Sequence, residues 1–164
     1  MSAKSSKLQA IEVRLEVEDL LHEYVQCIDD DDLESWAELF IDDCEYRVIP
    51  RENADAGLPA AIIACEGKGM LLDRVIAHRE ANVYPAHYTR HLVSNTRVLS
   101  IENDVIHAQS NYAVLQTRSD GETFIYNAGR YVDEIVRVGE DLRYRKKLCI
   151  FDTNRITTLM VTPI

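Results

Sequence analysis

Three short polar turns, Glu102-Asn103-Asp104, Ser119-Asp120-Gly121 and Gly139-Glu140-Asp141, cut the second half of the chain into four long strand-like segments. Strands are expected over residues 89–101, 105–118, 123–138 and 142–152. Connections this short join neighbouring antiparallel strands, so the four should form a meander. The first half has a different period. Val13, Val17, Leu20, Leu21, Tyr24, Val25 and Ile28 recur at three- and four-residue steps, the mark of an amphipathic helix. One of Asp29–Asp32 can cap a second, shorter helix bearing Leu33, Trp36, Ala37 and Phe40. Cys44, Tyr46 and Val48 then alternate with Glu45 and Arg47 as a strand. Residues 50–59 read as a loop and 60–65 as a short apolar strand. A helix runs from Gly67 to about Asn82, before Pro85 blocks it. A last short strand is expected over 156–161. Helices first and long antiparallel strands afterwards predict an α+β domain, with helices packed on one face of a curved sheet.

At 164 residues the chain reads as one domain, 1–164, with residues 1–7 as a flexible polar lead-in. No apolar run approaches the roughly 20 residues of a membrane helix. MSAKSSKLQ has no apolar core of a secretory signal, so a cytoplasmic location is expected. Cys27, Cys44, Cys65 and Cys149 are widely scattered, which suits reduced, buried thiols rather than a zinc site. The net charge is −10, and from Glu16 to Glu45 there is no lysine or arginine. That sign opposes binding to nucleic acid.

Candidate chemistry is sparse. His87 and His91 stand four apart, but Tyr88 sits where a metalloprotease has glutamate, and the segment runs into a strand. A Rieske cluster needs paired cysteines and histidines at close spacing, and none exists here. A mononuclear iron site needs two histidines and a carboxylate, and the spacing of His22, His78, His87, His91 and His107 does not indicate one. A cone-shaped α+β domain can also enclose an Asp–His acid–base pair; its members would be one of Asp29–Asp32 with His87, His91 or His107. Trp36, at helical spacing, reads as core. Strand 123–138 is apolar on both faces, with Phe124, Tyr126, Ala128 and Val132 on one and Ile125, Tyr131 and Ile135 on the other. A second chain covering the outer face would account for this. Arg74, Arg79, Arg90 and Arg97 can lie over apolar surface or pair across a subunit boundary. Arg90 and Arg97 are the pair expected at such a boundary. The run Arg143, Arg145, Lys146, Lys147 reads as a solvated hairpin, or as a surface for the acidic helices of a sister chain.

Several segments carry a resemblance. Leu71, Asp73, Arg74 and Val75, followed by Arg90, His91, Val93, Ser94 and Asn95, resemble the small (β) subunits of Rieske-type aromatic-ring-hydroxylating dioxygenases. Residues 127–133 (NAGRYVD) and 147–152 (KLCIFD) are similar to that family's late strands. The opening helix, 33–40 and 43–46 resemble the wider nuclear transport factor 2-like superfamily, whose enzymes keep the Asp–His pair of a dehydratase or isomerase, or bind a small ligand. PRENADAGLPA and REANVYPAH look most like subunits of salicylate hydroxylases and terephthalate dioxygenases. The resemblance implies a cone-shaped fold and a non-catalytic structural role. It also implies no cofactor in this chain, with the Rieske 2Fe-2S cluster and mononuclear Fe(II) in a large α partner. A self-trimer within an α3β3 assembly follows, with ferredoxin or reductase serving only indirectly. Many such subunits begin with a longer N-terminal arm than this one. The residues assigned to a subunit interface are Arg90, His91, Asn95, Arg97, Tyr126 and Tyr131.

Overall fold

A computed structural model describes residues 3–153 and 160–164, with side chains from Lys7 onward. Helix α1 (Ala3–Asp29) leads into α2 (Leu33–Glu38) and β1 (Phe40–Pro50). A short α3 (Arg51–Asp55), β2 (Ile63–Glu66) and α4 (Lys68–Glu80) precede the long strands. These are β3 (His87–Glu102), β4 (Val105–Arg118), β5 (Thr123–Val138) and β6 (Asp141–Phe151). The helix α1 reaches back into the polar lead-in. The Asp32 carboxylate caps α2 by accepting from the Ser35 N–H at 3.2 Å. Strand 156–161 lies largely outside the described residues; Met160 and Val161 are buried and form no strand.

The six strands lie in the order β2-β1-β6-β5-β4-β3. The meander β3 to β6 is antiparallel, while β1 inserts beside β6 and runs parallel to it. The sequence left this parallel pair unread, because the crossover between its strands carries the whole second half of the chain. The expected loop 50–59 contains α3, started by Pro50 at φ −60° and braced by Arg51 to Asp55 at 3.6 Å. Helices pack on one face of the curled sheet, giving the α+β, nuclear transport factor 2-like cone.

Inside the cone, Val17, Leu20, Leu21, Tyr24 and Ile28 of α1 meet Trp36, Phe40, Tyr46, Tyr131 and Tyr144. The rings pack edge-on or tilted, for example Trp36 against Tyr46 and Phe40 against Tyr144 at centroid separations of 5.4 and 5.3 Å. Trp36 is core. Bulges aim the long strands. Asn95, with φ at 56°, sits where β3 shifts register, so Arg90 and Arg97 both face outward despite opposite parity. On β5 a second shift buries Tyr126 and Asn127 together, after which Tyr131, Asp133 and Ile135 face inward.

Candidate functional site

The interior of the cone is the first place to look for chemistry. Asp29, at the end of α1, meets His91 on β3. Its Oδ1 is 2.7 Å from His91 Nδ1, and its Oδ2 accepts the His91 backbone N–H at 2.8 Å. Burial pulls the Asp29 carboxyl upward, but the bonds from His91 outweigh it and hold the group below its ordinary value. An ionised carboxylate only accepts, so Nδ1 carries the proton. The pair thus ties the edge strand β3 to α1.

The imidazole of this dyad is fully buried, because the chain fills its own cone, although Asp29 borders an open cleft of about 770 Å³ that it shares with His78, Tyr84 and His87. The segment 160–164 runs into it, and the Ile164 oxygen accepts from Tyr24 Oη at 2.6 Å and Tyr46 Oη at 3.2 Å. Ile164 N–H returns a bond to Tyr46 Oη at 3.1 Å, while Arg74 holds the carbonyls of Met160 and Val161 at 2.9 and 2.8 Å. Between this segment and Thr89, Gln116 and Tyr126 remains a gap of about 10 Å³, enough for one water at most. Deeper still, Lys147 is fully buried. Its Nζ lies 3.1 Å from Asp133 and 4.1 to 4.3 Å from the ring centres of Tyr24, Tyr131 and Tyr144. Burial pushes the Asp133 carboxyl up, and Lys147 opposes that shift.

The remaining candidates separate. His87 bonds the Pro85 carbonyl at 2.8 Å and lies about 13 Å along the strand from His91. His78 contacts Thr162 and Tyr84 at 3.2 and 3.1 Å, and burial lowers its pKa. His107 lies on the other face of β4, away from the cone. Asp31 binds Arg79, and Asp32 caps α2. Cys44, Cys65 and Cys149 are buried free thiols, with Cys149 pushed up to about 12 by burial. Among the described residues, no three His, Cys, Asp or Glu side chains gather as metal ligands. No described helix is long and apolar enough to cross a membrane.

The outer face of β3 to β5 is the opposite case. Tyr88, Leu92 and Leu99 on β3 and Ile125 on β5 are exposed, Tyr88 by 76% and Ile125 by 64%. They adjoin one another across the strands, in rows such as Arg90, Leu115 and Ile125, or Leu92, Ala113 and Ala128. Arg90 and Arg97 stand in this face with no ion pair among the described residues. Other arginines are occupied: Arg79 with Asp31 and Glu34, Arg137 with Glu16, and Arg47 with Glu45 and Glu66. A second exposed stripe, Leu8, Ile11 and Leu15, lies on the first half of α1.

Three residues assigned to an interface are therefore core residues of this chain. His91 is held by Asp29, Tyr131 is fully buried against Lys147, and the β5 bulge turns Tyr126 inward. Arg90, Asn95 and Arg97 remain exposed. The basic run is not a free patch either, since Arg143, Arg145, Lys146 and Lys147 pair with Asp141, Glu134, Glu45 and Asp133. The buried Lys147–Asp133 pair escaped sequence reasoning; its one signal was an aspartate among the apolar residues of strand 123–138.

Comparison with known proteins agrees with this geometry. A family described as ring hydroxylating beta subunit matches residues 24–158. The anthranilate 1,2-dioxygenase small subunit of Burkholderia cepacia is 46% identical over 145 residues, spanning 88% of this chain and 90% of the relative. Subunit beta 2 of the terephthalate 1,2-dioxygenase terminal oxygenase component of a Comamonas species is 33% identical, covering 86% and 92%. Among solved structures, a beta subunit attributed to an aromatic-ring-hydroxylating dioxygenase of Novosphingobium aromaticivorans superposes with a TM-score of 0.87. It shares 49% identity, over 94% of this chain and 99% of that one. A filled cone, an uncovered sheet face and these relatives agree: the chain belongs to the ring hydroxylating beta subunit family.

Proposed function

We propose that this chain is the structural subunit of an oxygenase that hydroxylates an aromatic carboxylate with O2, and that it catalyses nothing itself. The observation carrying this reading is the outer face of β3 to β5. It is apolar, long, and set with two arginines that have no ion pair among the described residues, in a protein of net charge −10. Such a face is stable when another polypeptide covers it. Arg90, Asn95 and Arg97 are its proposed contact residues. A self-trimer supporting three large subunits is the proposed assembly, in the cytoplasm. The Rieske cluster and the mononuclear iron belong to those large subunits, since the donor set here does not fit either group. The substrate class follows the relatives, whose names give anthranilate and terephthalate.

The test is reconstitution. The large subunit alone, and together with this chain, is assayed for hydroxylation of anthranilate and of terephthalate. Activity and assembly should depend on the chain, while the chain alone gives no turnover. Turnover by this chain without any partner would refute the proposal.

A further inference from the structure

The exposed stripe on the first half of α1 is a second surface that the chain leaves bare. At about 3.6 residues per turn, Leu8, Ile11 and Leu15 fall roughly half a turn away from Val17, Tyr24 and Ile28, which face the core. From Lys7 to Glu16 no side chain is buried, and of the apolar ones only Val13 packs in part against the core. A helical segment with so little packing is marginal in water until something covers it. Its charge is one-sided: residues 8–23 carry five carboxylates against Arg14. Glu16 and Glu18 are taken by Arg137 and Arg14. Glu12, Asp19 and Glu23 run along one flank of the stripe and have no ion pair among the described residues. The outer face of β3 to β5 has the opposite sign. Its rows from Tyr88 to Arg97 hold no carboxylate on any of the three strands, and their charges are Arg90, Arg97 and Arg130.

We infer that these two surfaces are each other's partners: the α1 stripe of one copy lies on the outer β3 to β5 face of a second copy, its carboxylate flank toward the arginines. The inference rests on the self-association proposed above and names its geometry. Each surface is apolar at its centre, and each carries the charge that the other lacks. Two sheet faces brought together would gather arginines with no carboxylate to answer them, and two stripes would gather carboxylates. A contact between two different patches is head-to-tail, so every copy gives one surface and receives on the other. Three copies close into a ring when each contact turns the chain by a third of a circle.

The experiment measures mass by sedimentation for the full chain and for two variants, with the thermal midpoint of each as the check on folding. Ile11→Asp with Leu15→Asp spoils the stripe, and Arg90→Glu with Arg97→Glu spoils the sheet face. Each variant alone should be monomeric at concentrations where wild type associates. An equimolar mixture of the two should form one-to-one pairs, because one intact surface of each kind remains. Should the stripe variant fail to fold, Glu12→Lys with Asp19→Lys keeps the apolar stripe and reverses its flank. That chain should self-associate roughly ten-fold more weakly than wild type, and should associate again when mixed with the sheet variant. A stripe variant of wild-type mass would overturn the inference, and one that had also lost the large subunit would assign the stripe to that subunit. A mixture that stays monomeric would overturn it as well. Wild-type chain that is monomeric both alone and with the large subunit would instead overturn the reading beneath it.

Discussion

The two faces of the same strands follow different rules. On β3, His91 points inward and is held twice by Asp29, while its neighbour Arg90 points outward beside exposed Leu92. On β4, Tyr112 is buried and bonded to Asn127, while Asn111 is exposed. Inside the cone, Lys147 and Asp133 sit in contact within a cage of tyrosines; outside, Arg90 and Arg97 have no counter-charge among the described residues. The difference separates folding from assembly. The inner face is closed by the chain's own residues, whereas the outer face is left open by them, as the proposed assembly requires.

The largest effect should come from the inner face. Lys147→Met leaves the Asp133 carboxylate buried without its ammonium, and should cost about 3–5 kcal/mol in urea unfolding. Adding Asp133→Leu should recover much of that loss, because no charge then stays buried. A double variant no more stable than the single would break the claim that the pair is coupled.

Next comes the tie between α1 and β3. Asp29→Ala leaves two buried donors of His91 without an acceptor, and should cost about 1–3 kcal/mol at neutral pH. The sign with pH follows from the lowered carboxyl. Its stabilisation is full above the unfolded value of about 3.9 and disappears as pH falls through the lower folded value. The gap between wild type and Asp29→Ala should therefore close in acid. A gap that widened in acid would contradict the assigned charge state.

The outer face should respond in the opposite sense. Arg90→Ala with Arg97→Ala should shift the stability of the isolated fold by less than about 0.5 kcal/mol. Sedimentation should nonetheless show weaker assembly and a flatter dependence on salt. The smallest effect is expected at Arg145, an exposed residue 3.7 Å from Glu134, where substitution should change neither stability nor assembly beyond about 0.5 kcal/mol. If Arg145→Ala dissolved the assembly and the Arg90/Arg97 variant did not, the docking face would be elsewhere.

Much of this was legible in the sequence. The turns at 102–104, 119–121 and 139–141 set the meander, and the spacing from Val17 to Ile28 set the buried face of α1. A cap on α2 from one of Asp29–Asp32 was readable as well, though not which of the four. What failed was parity. A strand reading assumes a strict period of two, and the bulges at Asn95 and at Tyr126 each insert a residue that reverses it. Tyr126 and Tyr131 were therefore placed on a boundary that neither reaches. The buried Lys147 was hidden because it follows Arg143, Arg145 and Lys146, all of which look solvated. The filling of the cone by 160–164 depends on a return of the chain across α1 and α4, which no local pattern encodes.

The central claim is that the chain completes its fold alone but its outer face only in company. Native mass measurement of the purified chain, with metal analysis and an oxygenation assay on the same sample, tests it most directly. The account predicts a self-associated, metal-free species with no turnover, which takes up large subunits when they are supplied. A stable monomer that carries its own metal, or oxidises an aromatic acid unaided, would contradict it.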